Sequence, residues 1–113
     1  MRPLRYSFDS KVTLTIYRSG QKHEFWGRTA DISPGGIAAT LSGTLDVGEI
    51  ASIRIEIEKK NLELRAVVRH RQGHFCGLQF LSVTAEQREM IKSACEHLRP
   101  INPVQNHAKQ NKA

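Results

Sequence analysis

A mainly β chain, folded as a six-stranded antiparallel barrel with one C-terminal helix, is what three features of the sequence predict. Short runs alternate between apolar and polar residues with the two-residue period of a half-buried strand, and clusters rich in Gly, Pro, Asn and Asp separate those runs. A single stretch near the C-terminus instead carries its apolar residues at helical spacing. Many short strands joined by brief turns leave exposed edges unless the sheet closes on itself, which favours a barrel over a small open sheet. At 113 residues the chain is the size of one domain. Residues 1–99 are expected to form it, with 100–113 as a basic tail.

Val12, Leu14 and Ile16 alternate with Lys11, Thr13, Thr15 and Tyr17 in the first strand, and Ser19-Gly20 reads as its turn. The second strand runs from about His23 to Ile32. Its adjacent Phe25 and Trp26 must face opposite ways, so one ring points outward; a hairpin contact is the ordinary role for such a ring, base stacking the rarer one. After Pro34-Gly35-Gly36, the segment Ile37–Leu41 forms a third strand, followed by a loop through Ser42-Gly43 and Asp46–Gly48. Ile53, Ile55 and Ile57 alternate with Arg54, Glu56 and Glu58 in a fourth, with a hairpin turn expected at Lys59-Lys60-Asn61. The return strand sets Leu62, Leu64, Ala66 and Val68 on one face and Glu63, Arg65, Val67 and Arg69 on the other. Arg65 and Arg69 could extend a positive surface, although charge alternating along a strand is more often a solvated outer face. Gln72-Gly73 then turns into a sixth strand, His74–Leu81. Thr84 with Gln87 makes a capping-box pattern, and Met90, Ile91, Ala94, Cys95 and Leu98 form one helical stripe, expected to cover an opening of the barrel. The segment from Pro100 to Ala113 is poor in apolar residues and is expected to be disordered.

The formal charge of +6 favours anionic partners. No apolar run approaches the ~20 residues that span a bilayer, and the first residues lack an apolar signal core, so a cytoplasmic location is expected. Cys76 and Cys95 lie far apart in apolar contexts and read as buried thiols. The histidines at 23, 70, 74, 97 and 107 form no zinc-ligand spacing, and no nucleophile elbow or phosphate-binding glycine loop is legible. Neither catalysis nor a metal or other cofactor is expected.

Two segments carry candidate chemistry. Asp31-Ile32-Ser33-Pro34-Gly35-Gly36 puts a carboxylate and a hydroxyl at alternate positions, hence on one side of an extended chain, ahead of two glycines that permit positive φ and close approach of a flat ligand. Taken alone it also reads as an ordinary turn whose Asp caps backbone amides. Upstream, Arg2-Pro3-Leu4-Arg5-Tyr6 supplies two guanidiniums. Their planar forks match the O6 and N7 acceptors of guanine, and they also pair with phosphate.

These arginines, the D-x-S-x-x-G pattern of Asp31, Ser33 and Gly36, and the segment Gly77-Leu78-Gln79-Phe80 followed by a helix together resemble the PilZ domain family, over roughly Arg2 to Leu98. The resemblance implies a small split-barrel domain that binds the second messenger cyclic di-GMP through an R-x-x-x-R motif and that D/N-x-S-x-x-G motif. It assigns ligand binding to Arg5, Asp31, Ser33 and Gly36, with Arg2 standing in for the first arginine; Gly35, beside them, is expected to leave room for a ring and offer its backbone N–H. The arginine motif departs from the family pattern: Met1 stands four residues before Arg5, and the nearest pair, Arg2 and Arg5, is spaced by three. The resemblance implies a bacterial cyclic di-GMP receptor. Because the arginines lie outside the strand pattern, their arm is expected to order over the ligand and so to alter a contact with an effector protein. A same-fold adaptor with a degenerate ligand site is the alternative. A barrel that binds nucleic acid through its charge is a third, less favoured reading.

Overall fold

The computed structural model describes residues 4–101. The elements in chain order are β1 (Arg5–Ser7), β2 (Lys11–Arg18), β3 (Gln21–Ser33), β4 (Gly36–Leu41), β5 (Ile50–Ile57), β6 (Lys60–Gln72), β7 (Phe75–Ser82), α1 (Ala85–Glu96) and β8 (Pro100–Ile101). Strands β2-β5-β6-β7-β4-β3 are hydrogen-bonded in that order, and β2 pairs β3 to close the circle. The result is the predicted six-stranded antiparallel barrel with its C-terminal helix.

The alternation that predicted the strands also builds the core. Val12, Leu14 and Ile16 of β2, Ile53, Ile55 and Ile57 of β5, and Leu62, Leu64, Ala66 and Val68 of β6 are all buried in one cluster. Helix α1 adds Ile91, Ala94 and Cys95 to that cluster, with Met90 and Leu98 partly buried against it. Its start is the predicted capping box: the Gln87 N–H donates to Thr84 Oγ1 at 3.0 Å and the Thr84 N–H to Gln87 Oε1 at 3.1 Å.

Four sequence expectations are revised. The β5–β6 hairpin turns at Glu58-Lys59 rather than Lys59-Lys60-Asn61, since Ile57 pairs with Lys60. Both turn residues have positive φ, 50° and 68°, the geometry that matches strand twist in a two-residue hairpin, adopted here without glycine at a cost on the order of 1 kcal/mol per residue. Val67, expected on the outer face of β6, is buried. Two short strands join the six: β1 pairs β3, running on from β2 along the same edge, and β8 pairs β1. Arg5 thus lies in a strand rather than on an unanchored arm, and the Ser7 N–H, donating to the Arg99 carbonyl at 2.8 Å, helps hold it there. The tail expected from Pro100 opens with β8; the rest of it, with Arg2, lies outside the described residues.

Candidate functional site

The site begins with a change of side in β3. Up to Thr29 the inward residues are odd-numbered, ending in a Thr29 that is buried; beyond it Ile32 is the fully buried residue. Pairing with β4 explains this, because Thr29 opposes Ala39 and Asp31 opposes Ala38, leaving Ala30 as an extra residue. Such a bulge re-aims the side chains that follow it. Without it, Asp31 would continue the inward series.

Register then decides what Asp31 meets. Tyr6 opposes Ile32 and Ser7 opposes Asp31, so Arg5 shares a face with Asp31 and Ser33, while Tyr6 turns towards the core. Arg5 Nε donates to Asp31 Oδ1 at 2.6 Å, and Arg5 Nη2 reaches the same oxygen. Residues 26 positions apart thereby become one charge-assisted pair, with side chains 39% and 17% exposed.

Ser33 is buried, its Oγ accepting from the Gly35 N–H at 3.3 Å. The turn is Pro34-Gly35, with Ser33 opposite Gly36. Neither glycine has the positive φ expected of this turn. Gly36 answers a different need, because a Cβ there would strike the Leu78 carbonyl of β7.

A second bulge shapes the opposite wall. In the β6–β7 ladder Val68 opposes Leu78 but His70 opposes Gly77, so Arg69 is the extra residue. Arg69 and His70, consecutive in sequence, therefore line the same cavity. Arg69 Nε donates to Gln79 Oε1 at 2.5 Å, and the His70 ring occupies the space that a side chain on Gly77 would take.

The cavity between these walls measures about 290 Å³ and is lined by Arg5, Ser33, Gly35, Gly36, Arg69 and His70 together with the Gly77–Gln79 segment. A larger hollow of about 450 Å³ lies on the outer face of β2, β3 and β5, but its Lys22 and Arg54 are matched by Glu24 and Glu63. The smaller one has two guanidiniums and no carboxylate among its lining residues, so it is the one whose charge suits an anion. Trp26, although exposed, lines neither.

Of the residues expected at the site, Arg5, Asp31, Ser33, Gly35 and Gly36 are brought together. Arg69, His70 and Gln79 join them from strands that sequence reasoning had not assigned to it; the signal available was the Gly77-Leu78-Gln79 segment. Elsewhere, burial pushes the Cys76 and Cys95 thiols up, away from the reactive thiolate form. Among the described residues no cluster of three or more His, Cys, Asp or Glu could hold a metal ion, and no helix is long and apolar enough to cross a membrane.

The model of the PilZ domain family matches residues 2–97. Similar solved structures include the PilZ domain of CeSA from a cellulose-synthesizing bacterium, 18% identical with a TM-score of 0.64 over 82% of this chain and 95% of that one. The Bacillus subtilis inhibitor of motility MotI/DgrA is 22% identical with a TM-score of 0.70, over 86% of this chain and 49% of its own. The PilZ domain of YcgR from Escherichia coli, solved with c-di-GMP, is 15% identical with a TM-score of 0.68 over 100% of this chain and 98% of that one. No curated protein matches the chain by sequence.

Proposed function

The chain belongs to the PilZ domain family, a cyclic di-GMP-binding family of receptor domains, and from that membership we propose that its Arg5–Asp31 cavity binds cyclic di-GMP. The observation that carries the proposal is the convergence of Arg5 and Asp31 beside Ser33, Gly35 and Gly36 at a hollow whose lining residues include two arginines and no carboxylate. Arg5 would donate to guanine O6 and N7. Asp31 engages Arg5 through Oδ1, leaving Oδ2 to accept from guanine N1–H or N2–H. Ser33 keeps its own hydroxyl proton to donate, and the glycines leave room for a ring. Arg2, which precedes β1 in the sequence, would add a second guanidinium for the ligand.

Because β1 already holds Arg5 beside Asp31, the ligand would meet a preformed pair rather than an unanchored arm. Its bulk and charge, once bound, would change the surface offered to an effector protein in the cytoplasm. The spacing of Arg2 and Arg5 favours a second reading, an adaptor that keeps the fold and its protein contacts without the ligand. Calorimetric titration with cyclic di-GMP separates the two. Binding heat from the wild type that disappears in both Arg5→Ala and Asp31→Ala supports the receptor; a flat wild-type trace supports the adaptor.

A further inference from the structure

We infer that Arg69 is a ligand-binding residue of this site, providing on β6 a phosphate-anchoring guanidinium for which the arginine segment at the N-terminus has the wrong spacing. The inference rests on the reading of the cavity as a cyclic dinucleotide site.

Charge balance is the first argument. A cyclic dinucleotide brings two phosphate charges, and Arg5 is already neutralised by Asp31. The partner of Arg69 is the amide oxygen of Gln79, which orients the guanidinium without cancelling its charge. No carboxylate among the described residues lies within ion-pair distance of Arg69, so it gives the cavity its net positive charge. The bond uses Nε, and among the described residues neither terminal nitrogen has a hydrogen-bond partner, so both are available for a bidentate contact with phosphate.

Placement is the second argument. The bulge at Arg69 disrupts the ladder at that residue and brings it and His70 to the same cavity. Arg65, on the same strand but before the bulge, pairs at Ser82 and does not line it. The two arginines, alike in sequence context, are therefore separated by structure: one belongs to the cavity wall and the other to the solvated face. The His70 ring, lying over Gly77, adds a flat surface beside Arg69.

The test is calorimetric titration of the full chain with cyclic di-GMP, at low and raised salt, using the wild type and the variants Arg69→Ala, Arg69→Lys and Arg65→Ala. Arg69→Ala is expected to weaken binding about tenfold or more, the usual loss for one charged contact. Its affinity should also depend less on salt than that of the wild type. Arg69→Lys should recover part of the loss, and Arg65→Ala should bind as the wild type does. Because Arg69 is exposed, an unchanged melting temperature for Arg69→Ala serves as the folding control. Wild-type affinity in Arg69→Ala overturns the inference while leaving the receptor reading intact, as does an equal loss in Arg65→Ala, which would mark a general field. A wild type that gives no heat overturns both.

Discussion

Gly35 and Gly36 are neighbours in one motif, yet the structure assigns them opposite sensitivities to the same substitution. A Cβ on Gly36 would strike the Leu78 carbonyl oxygen and lie 3.1 Å from its carbon and 3.2 Å from Gln79 Cα. These are backbone atoms, and the ladder that pairs Gly36 with Gln79 and Ile37 with Leu78 keeps them from yielding as a side-chain tip would. Gly36→Ala must therefore push β4 from β7, an overpacking cost of about 1–3 kcal/mol. For a domain of this size each kcal/mol lowers Tm by roughly 4–8 °C. At Gly35 a Cβ meets nothing within 4 Å and φ is not left-handed. Gly35→Ala should thus be neutral or raise stability by about 0.4–1 kcal/mol, by restricting the unfolded chain. Urea and thermal unfolding of the two variants measure the contrast. A Gly35→Ala protein destabilised as much as Gly36→Ala would refute the steric account of the motif.

Acid should act through Glu49, whose carboxylate accepts from Arg18 Nε at 2.8 Å, Arg18 Nη2 at 2.7 Å and the Asp46 N–H at 2.8 Å. The Arg18 hydrogen bonds, above all, lower its pKa to about 2 from the usual 4.5. A depressed folded-state pKa stabilises the protein above pH 4.5, and that contribution is lost as pH falls towards 2. With Arg18 37% exposed and solvent screening allowed for, Glu49→Gln should cost about 0.5–1 kcal/mol at pH 7, and its deficit against wild type should shrink in unfolding experiments between those pH limits. A deficit that does not change with pH would exclude the ion pair as its source. Thr84→Ala removes the acceptor that caps α1 and should cost about 1 kcal/mol in urea unfolding, with cyclic di-GMP titration unaltered.

The barrel strands were legible because their signal is local. Alternation in Lys11–Tyr17 and Ile53–Glu58 needs no knowledge of a partner, and the helix carried both its cap and its stripe in sequence. The short β1 has no such signal. Three residues cannot declare a strand, and this one exists through pairing with β3 and β8. The Glu58-Lys59 turn was misplaced for a related reason: neither residue advertises positive φ, and the tight connection follows from the register of Ile57 against Lys60.

At the site, composition and motif were enough to pick out Arg5, Asp31, Ser33 and the glycines, because a guanidinium, a carboxylate and a close-approach backbone are chemical types that a sequence displays openly. Their meeting depended on two single-residue bulges, at Ala30 and Arg69, that no glycine or proline marks. A bulge arises from how one strand's length is reconciled with its neighbour's, and it reverses the side of every residue beyond it. Strict alternation would have turned Asp31 inwards; the folded sheet turns it towards Arg5 and sets Arg69 and His70 along the same hollow, a relation that exists only between strands and so cannot be read from any one of them.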